Sequence, residues 1–375
     1  MKLTKRMLAL LTALCLLGTG AALAEDDSDY SLTDVVPSMD LDADDDEDDG
    51  FFIEDSEEQQ ALAALENMDM EIDDSINPDD LELNTSLPDN VVNILLVGID
   101  TRDTTMDEGL QHGDVQIILS ISKDTGAVKL TSILRDLYVE IPGYKSKNRI
   151  NVAYARGGGQ LAMRTINRVF EMNIQHYVTI NFYGLASIID AIGGVDVDMT
   201  KQEAGAINTY LRKHPPKYDN QDKDYERQPL EKVDGVQHLD GVQAVMYARI
   251  RSIDNDFSRT ERQRHLLDLL LKTIMQDMTI DKFASLVDTA MPYVQTNVGG
   301  ATMMELGLAV LGSDIIARAQ AGESLIEQHR IPMDETWKYS KENGASVVVF
   351  RTVARREENV KALHEFIYGD YYPAP

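Results

Sequence analysis

The residues with the clearest capacity for chemistry are arginines. The run "YARIRSIDNDFSRTERQ" sets Arg249 and Arg251 two residues apart, and Arg259 and Gln263 four apart. On a strand the first pair projects from one face, and on a helix the second pair shares a face. A strand delivering two guanidinium forks, beside a helix N-terminus delivering a third, would hold an anion with several phosphate oxygens. The same arginines would also be satisfied by surface ion pairs with Asp254, Asp256 and Glu261. Arg135, followed by Asp136, closes the apolar run "VKLTSIL", at a strand end that is either a ligand-binding edge or a plain turn. Asp100 closes "VNILLVGID" with Arg102 two residues on, and Asp114 opens the next apolar run. Two carboxylates at neighbouring strand ends could hold a magnesium ion that keeps most of its waters and meets substrate phosphates. Either carboxylate alone suits a turn or a cap.

Other chemistries fail on residue inventory. The seven histidines are scattered and no HExxH zinc pattern occurs. Gly157-Gly158-Gly159 lacks the Lys-Ser/Thr ending of a phosphate-cradling loop and reads as a helix-entry turn. No GxSxG elbow supports a serine hydrolase. The part after residue 90 is not basic, which argues against nucleic acid as a partner.

The elements that must position these residues follow from apolar periodicity. "VNILLVGID" reads as a buried strand, and "DVQIILSIS" and "AVKLTSIL", joined by Lys123-Asp124-Thr125-Gly126, read as a hairpin. A helix is expected over Gln160 to Phe170, a strand at "HYVTIN", a helix from Leu185 to Ile192 ended by Gly193-Gly194, and a short strand at "VDVDM". Tyr210 to Val233 reads as a surface loop and "AVMYARIRS" as a strand. The clearest helix is "SRTERQRHLLDLLLKTIMQDM", with Ser258 and Glu261 as a capping box. Beyond Tyr293 come a helix near Met303 to Leu311, a strand at "SVVVF" and a helix near Asn359 to Ile367. Strands alternating with helices, plus a hairpin, imply an α/β fold: a mixed sheet covered by helices on both sides.

Charge divides the chain. Of 64 acidic and 35 basic residues, 26 acidic and no basic ones lie between Glu25 and Asn90, and three basic ones precede them. Residues 91–375 therefore hold 38 acidic and 32 basic residues, net −6. Residues 25–90 are too polar to bury surface that offsets chain entropy, and read as a disordered acidic tether. Lys2, Lys5 and Arg6, the apolar run Met7 to Leu17 and Ala22-Leu23-Ala24 have the order of a secretory signal. The alternative is an uncleaved anchor, since Met7 to Ala24 approaches the roughly 20 residues that span a bilayer. Both place the rest of the chain outside the cytoplasmic membrane. Cys15, the only cysteine, lies inside this segment, so the remainder holds no disulfide.

The blocks "VNILLVGIDTRD", "GDVQIILSISKDTGAVKLTSILRDLYVEIPG", "NRINVAYARGGGQLAMRTINRVF", "YVTINFYGLASIIDAIGGVDVDM" and "LDGVQAVMYARIRSIDNDFSRTERQR" resemble, in order, the LytR-CpsA-Psr family from about Val91 to Met278. "RIPMDETW" and the closing helix resemble the extension that many members carry. The resemblance implies a three-layer α-β-α sandwich with a central mixed sheet over 91–290, and a C-terminal α/β extension over 291–375 packed on the same domain. It also implies an extracytoplasmic magnesium-dependent phosphotransferase. The implied donor is a polyprenyl-pyrophosphate-linked glycopolymer in the outer leaflet of the membrane. The implied acceptor is N-acetylmuramic acid of peptidoglycan, joined through a phosphodiester.

On that resemblance Asp100 and Asp114 fall on the magnesium-associated aspartates, and Arg135 on the arginine of a "PRD"-like block. Arg249, Arg251, Arg259 and Gln263 fall on pyrophosphate-binding positions, with Arg102 beside them. The chain departs from the pattern at Leu134 for a proline, Arg149 for a lysine and Gly113-Asp114-Val115 for a Ser-Asp-Thr-like triplet. A site of arginines and aspartates suffices for phosphoryl transfer, which depends mainly on positioning and electrostatics. A non-catalytic binder of the lipid phosphate or wall glycan, and a pyrophosphatase releasing the glycan to water, remain open alternatives.

Overall fold

Strand β1 (Val91–Ile99) is apolar on both faces because the sheet around it is covered on both. Ile94 and Leu96 enter one core, and Leu95, Val97 and Ile99 the other. This is the period-two alternation of a strand with no solvated face. The computed structural model describes residues 73–99, 111–213, 227–250, 294–311, 326–342 and 344–375, with single positions 262, 265, 266, 269, 270, 273 and 313.

β2 (Gly113–Ser122) and β3 (Val128–Ile133) form the expected hairpin, antiparallel to each other, and β2 is antiparallel to β1. The turn needs Gly126: its φ is +65°, and a Cβ there would lie 2.2 Å from the Ala309 carbonyl oxygen. β6 (His176–Asn181) runs parallel to β1. Two late strands close the edges, β9 (Val294–Thr296) antiparallel to β6 and β10 (Glu327–Ile331) parallel to β3. The order β10-β3-β2-β1-β6-β9 makes a mixed six-stranded sheet. The segment after residue 290 thus supplies both edges of the central sheet as well as packing on it.

Helix α1 (Val152–Phe170) covers one face, with Met163, Ile166 and Phe170 in its core. α2 (Phe182–Ala191), α4 (Gly241–Arg249) and α5 (Gly300–Leu311) cover the other. Between α2 and α4 lies α3 (Lys201–Lys213). The closing helix α6 (Val353–Tyr368) joins α1 through Val360, Leu363 and Ile367. The architecture is the expected three-layer α-β-α sandwich. Burying each such aliphatic side chain contributes about 1.5–3 kcal/mol. The glycine triplet breaks α1 at Gly157 and Gly158, and a Cβ on Gly159 would sit 2.6 Å from the Tyr177 ring, so helix and sheet approach there only over glycine.

Smaller two-stranded pairs decorate the sheet: β4 (Tyr138–Val139) with β5 (Asn148–Arg149), β7 (Val195–Met199) with β8 (Gly235–Leu239), and β11 (Trp337–Glu342) with β12 (Ala345–Phe350). Residues 262, 265, 266, 269, 270 and 273 are helical, as "SRTERQRHLLDLLLKTIMQDM" predicts, and Leu266 and Leu270 are buried. The capping box at Ser258 lies outside the described residues.

Four expectations change. α1 starts at Val152 rather than Gln160, so the glycine triplet expected as its entry turn is a kink inside it. "AVMYAR" of the strand expected at "AVMYARIRS" lies in helix α4: Asp240 and Gln243 form a reciprocal capping box that starts a helix despite the β-rich composition. The loop expected from Tyr210 begins later, because α3 continues to Lys213. The tether expected through residue 90 stops earlier, because residues 73–90 pack on the domain. Leu81 is fully buried there, Asn167 donates to its carbonyl, and Glu82 pairs with Arg164 and Arg168.

Candidate functional site

The end of the sheet where β1 runs out is irregular by construction. Gly98 pairs with Val115 but Ile99 with Gly113, so Asp114 is the extra residue of a β-bulge. Such a bulge re-aims its side chain out of the regular pleat. Arg135 lies just past the end of β3 and reaches back: its Nη1 is 3.4 Å from Asp114 Oδ1. Its Nε is 3.6 Å from Asp136 Oδ2, and Arg149 Nη1 lies 3.2 Å from Asp136 Oδ1. Two carboxylates and two guanidinium groups therefore alternate across one end of the sheet.

Asn151 completes the cluster. It is buried, and its Nδ2 donates to Asp114 Oδ1 at 3.4 Å. Its backbone N–H donates to the Arg135 carbonyl at 3.3 Å, and its own carbonyl accepts from the Gly113 N–H at 3.2 Å. It also stands at the N-cap position of α1, yet its side chain makes no capping hydrogen bond. A side-chain cap is worth about 1 kcal/mol, so the helix forgoes it. Nothing in the sequence singles out Asn151, because the helix it precedes starts at Val152, ahead of the periodic pattern over Gln160 to Phe170, and its partners at Gly113, Asp114 and Arg135 are distant in the chain.

Asp114 and Arg135 are 33% and 35% exposed, so solvent screens their attraction and the pair adds little to stability. The arrangement instead leaves capacity. Asp114 Oδ1 takes both protein contacts, while Oδ2 has no partner among the described residues. A hard carboxylate oxygen presented this way fits a magnesium ion, which needs only one or two protein carboxylates beside water and phosphate oxygens. Among the described residues no group of three or more His, Cys, Asp or Glu side chains could hold a metal by itself.

The structure brings Asp114 and Arg135 together as a pair. Arg249 reaches the same end of the sheet from the opposite layer. Its guanidinium lies 4.0 Å from the centre of the Phe182 ring; Phe182 follows Asn181, which pairs with Ile99. Arg249 ends a helix, so the shared strand face expected for it and Arg251 does not exist. Asp100, Arg102, Arg251, Arg259 and Gln263 lie outside the described residues. Asp100 follows Ile99, the residue that pairs with Gly113 beside Asp114. Arg262, within the same arginine run, is structural: it is buried, donates to the Ile250 carbonyl at 2.9 Å and pairs with Glu203 at 3.3 Å.

The fold is a three-layer α/β domain with an arginine–aspartate cluster at one end of the inner strands of its mixed sheet. Its lineage is specific: the LytR_cpsA_psr family matches residues 56–360, and the chain belongs to that family. It is 28% identical to the polyisoprenyl-teichoic acid–peptidoglycan teichoic acid transferase TagU of Enterococcus faecalis, over 57% of this chain and 64% of that protein. It is 30% identical to the protein of the same name from Oceanobacillus iheyensis, over 67% of this chain and 71% of that one. The chain spans about half to two thirds of the length of several curated relatives it matches. The crystal structure of Bacillus subtilis TagV shares the fold, with a TM-score of 0.52 and 24% identity over 75% of this chain and 98% of that one.

Proposed function

We propose that this protein transfers a glycopolymer from a polyprenyl pyrophosphate to peptidoglycan, forming a phosphodiester with a hydroxyl of N-acetylmuramic acid. The observation that carries the reading is the bulge that turns Asp114 toward Arg135 at the edge of a LytR_cpsA_psr domain. The names of the relatives support the polymer class, a teichoic acid.

Arg135 and Arg249, with Arg102, Arg251, Arg259 and Gln263, bind the pyrophosphate and stabilise charge as it develops on the phosphate oxygens. Asp114 and Asp100 would hold a magnesium ion, which when bound would neutralise pyrophosphate charge. The acceptor hydroxyl oxygen bonds to the sugar-linked phosphorus as the bond from that phosphorus to the polyprenyl phosphate breaks. The hydroxyl proton passes to a carboxylate, Asp114 or Asp100. Positioning and electrostatics carry most of this chemistry, so no nucleophilic side chain is required. The basic, apolar, small-residue order of residues 1–24 supports action outside the cytoplasmic membrane, where donor and acceptor meet. Among the described residues no helix is long and apolar enough to cross a membrane; residues 1–24 lie outside them.

The test is incubation of purified protein with a synthetic polyprenyl-pyrophosphate glycan, peptidoglycan and magnesium, followed by digestion and mass analysis. A muramic acid phosphodiester is expected. A soluble phosphoglycan formed without acceptor would mark a pyrophosphatase instead, and retention of donor without turnover would mark a binder.

A further inference from the structure

We propose that Asn151 is a positioning residue that holds the Asp114 carboxylate in its working orientation; this rests on the reading of Asp114 as part of the transfer site. Three hydrogen bonds converge on this one residue. Its backbone ties the start of β2, at Gly113, to Arg135, and its side chain holds Asp114 between them. The strand end and the arginine that face each other across the site are thus joined through a single buried residue.

The side chain is turned toward the site and plays no part in capping the helix. Asparagine is a favoured N-cap because its side-chain oxygen accepts from the first-turn amides. Asn151 precedes α1 with a φ of −64° and a ψ of −18°, not the extended backbone usual for a cap, and makes no such bond. Its Oδ1 is buried without a partner among the described residues. The amide cannot be reversed, since that would set Oδ1 against a carboxylate oxygen of Asp114. The donor end of Asn151 is therefore what the fold uses. With Arg135 it occupies Oδ1, which fixes the direction in which Oδ2 is presented.

A serine at this position removes the contact with the least disturbance, because it stays polar and small but is too short to reach Asp114. In full-length protein, with a synthetic polyprenyl-pyrophosphate disaccharide and peptidoglycan, Asn151→Ser is expected to lower kcat about tenfold. Donor KM should stay within about twofold and the thermal midpoint should stay close to wild type. Asn151→Ala should show the same loss of kcat. Wild-type kcat in Asn151→Ser, while Asp114→Asn is strongly impaired, would overturn the proposal and leave the site intact. So would an effect confined to KM, or a kcat loss that follows a falling midpoint. Full activity in Asp114→Asn would remove the site reading itself, and this inference with it.

Discussion

Two clusters in this protein use the same chemistry, arginine against carboxylate, and differ in how completely they use it. Around Glu82, Arg164 Nη2 lies 2.7 Å from Oε1 and Arg168 Nε lies 2.6 Å from Oε2, so both oxygens are engaged at short range. Around Asp114 and Asp136 the contacts are 3.2 to 3.6 Å and one carboxylate oxygen of Asp114 is left over. The first cluster clasps residues 73–90 onto α1. The second holds its charges near one another without saturating them, as a site must if phosphate oxygens or a metal are to enter. Short, complete pairing suits a structural clasp; long, incomplete pairing at a bulge leaves capacity for a ligand.

The sharpest way to break this contrast is to remove one arginine from the loose cluster. Arg135→Ala is expected to lower the transfer rate by about 10²–10³-fold, the loss typical of a missing transition-state charge partner. Its thermal midpoint should stay close to wild type, because an exposed pair adds little. A matched fall in midpoint and activity, read by calorimetry and product assay, would place Arg135 with the structural arginines.

The opposite outcome is expected at the clasp. Glu82→Gln should destabilise the fold by about 1–2 kcal/mol while leaving turnover per folded molecule unchanged. Denaturant titration beside the transfer assay separates the two. The pH dependence follows from the same pairing. Burial works to raise the Glu82 pKa, but hydrogen bonds from Arg168 and Arg164 and their charges outweigh it, and the group titrates below the usual 4.5. A depressed carboxylate pKa contributes stability above the unfolded value and loses it as pH falls through the folded one. Between neutral pH and about pH 3 the wild type should therefore lose more stability than Glu82→Gln; parallel curves would show that Glu82 is not a clasp.

The smallest effect is expected at Arg149, which touches Asp136 rather than Asp114. Arg149→Lys keeps the charge with a different geometry, and transfer should fall by no more than about threefold. A loss as large as that of Arg135→Ala would make Arg149 a direct partner of the reacting phosphates.

How much of this was legible follows the range of the interactions. The β2–β3 hairpin could be read from alternation and the Lys123–Gly126 turn, because both are local. The layered α/β fold could be read from the order of strands and helices. The helical state of "AVMYAR" was legible too, since the capping box between Asp240 and Gln243 is local, but valine, tyrosine and isoleucine point to a strand and outweigh it in a reading by composition. Asp114 and Arg135 stood out as charges at strand ends, but each had an equally good local reading.

The sequence by itself determined the division into an acidic N-terminal stretch and a charge-balanced domain, the hairpin, the residue types available for anion chemistry and the family pattern. These depend on composition and on spacings of a few residues. Only the tertiary structure decided that Asp114 is bulged, that Arg135 turns back to meet it, and that Asn151 leaves its helix uncapped to join them. The edge strands β9 and β10, drawn from the far end of the chain, were settled in the same way. Such contacts arise when strands pair across long stretches of chain, and their geometry is set by the register of the whole sheet rather than by neighbours in sequence.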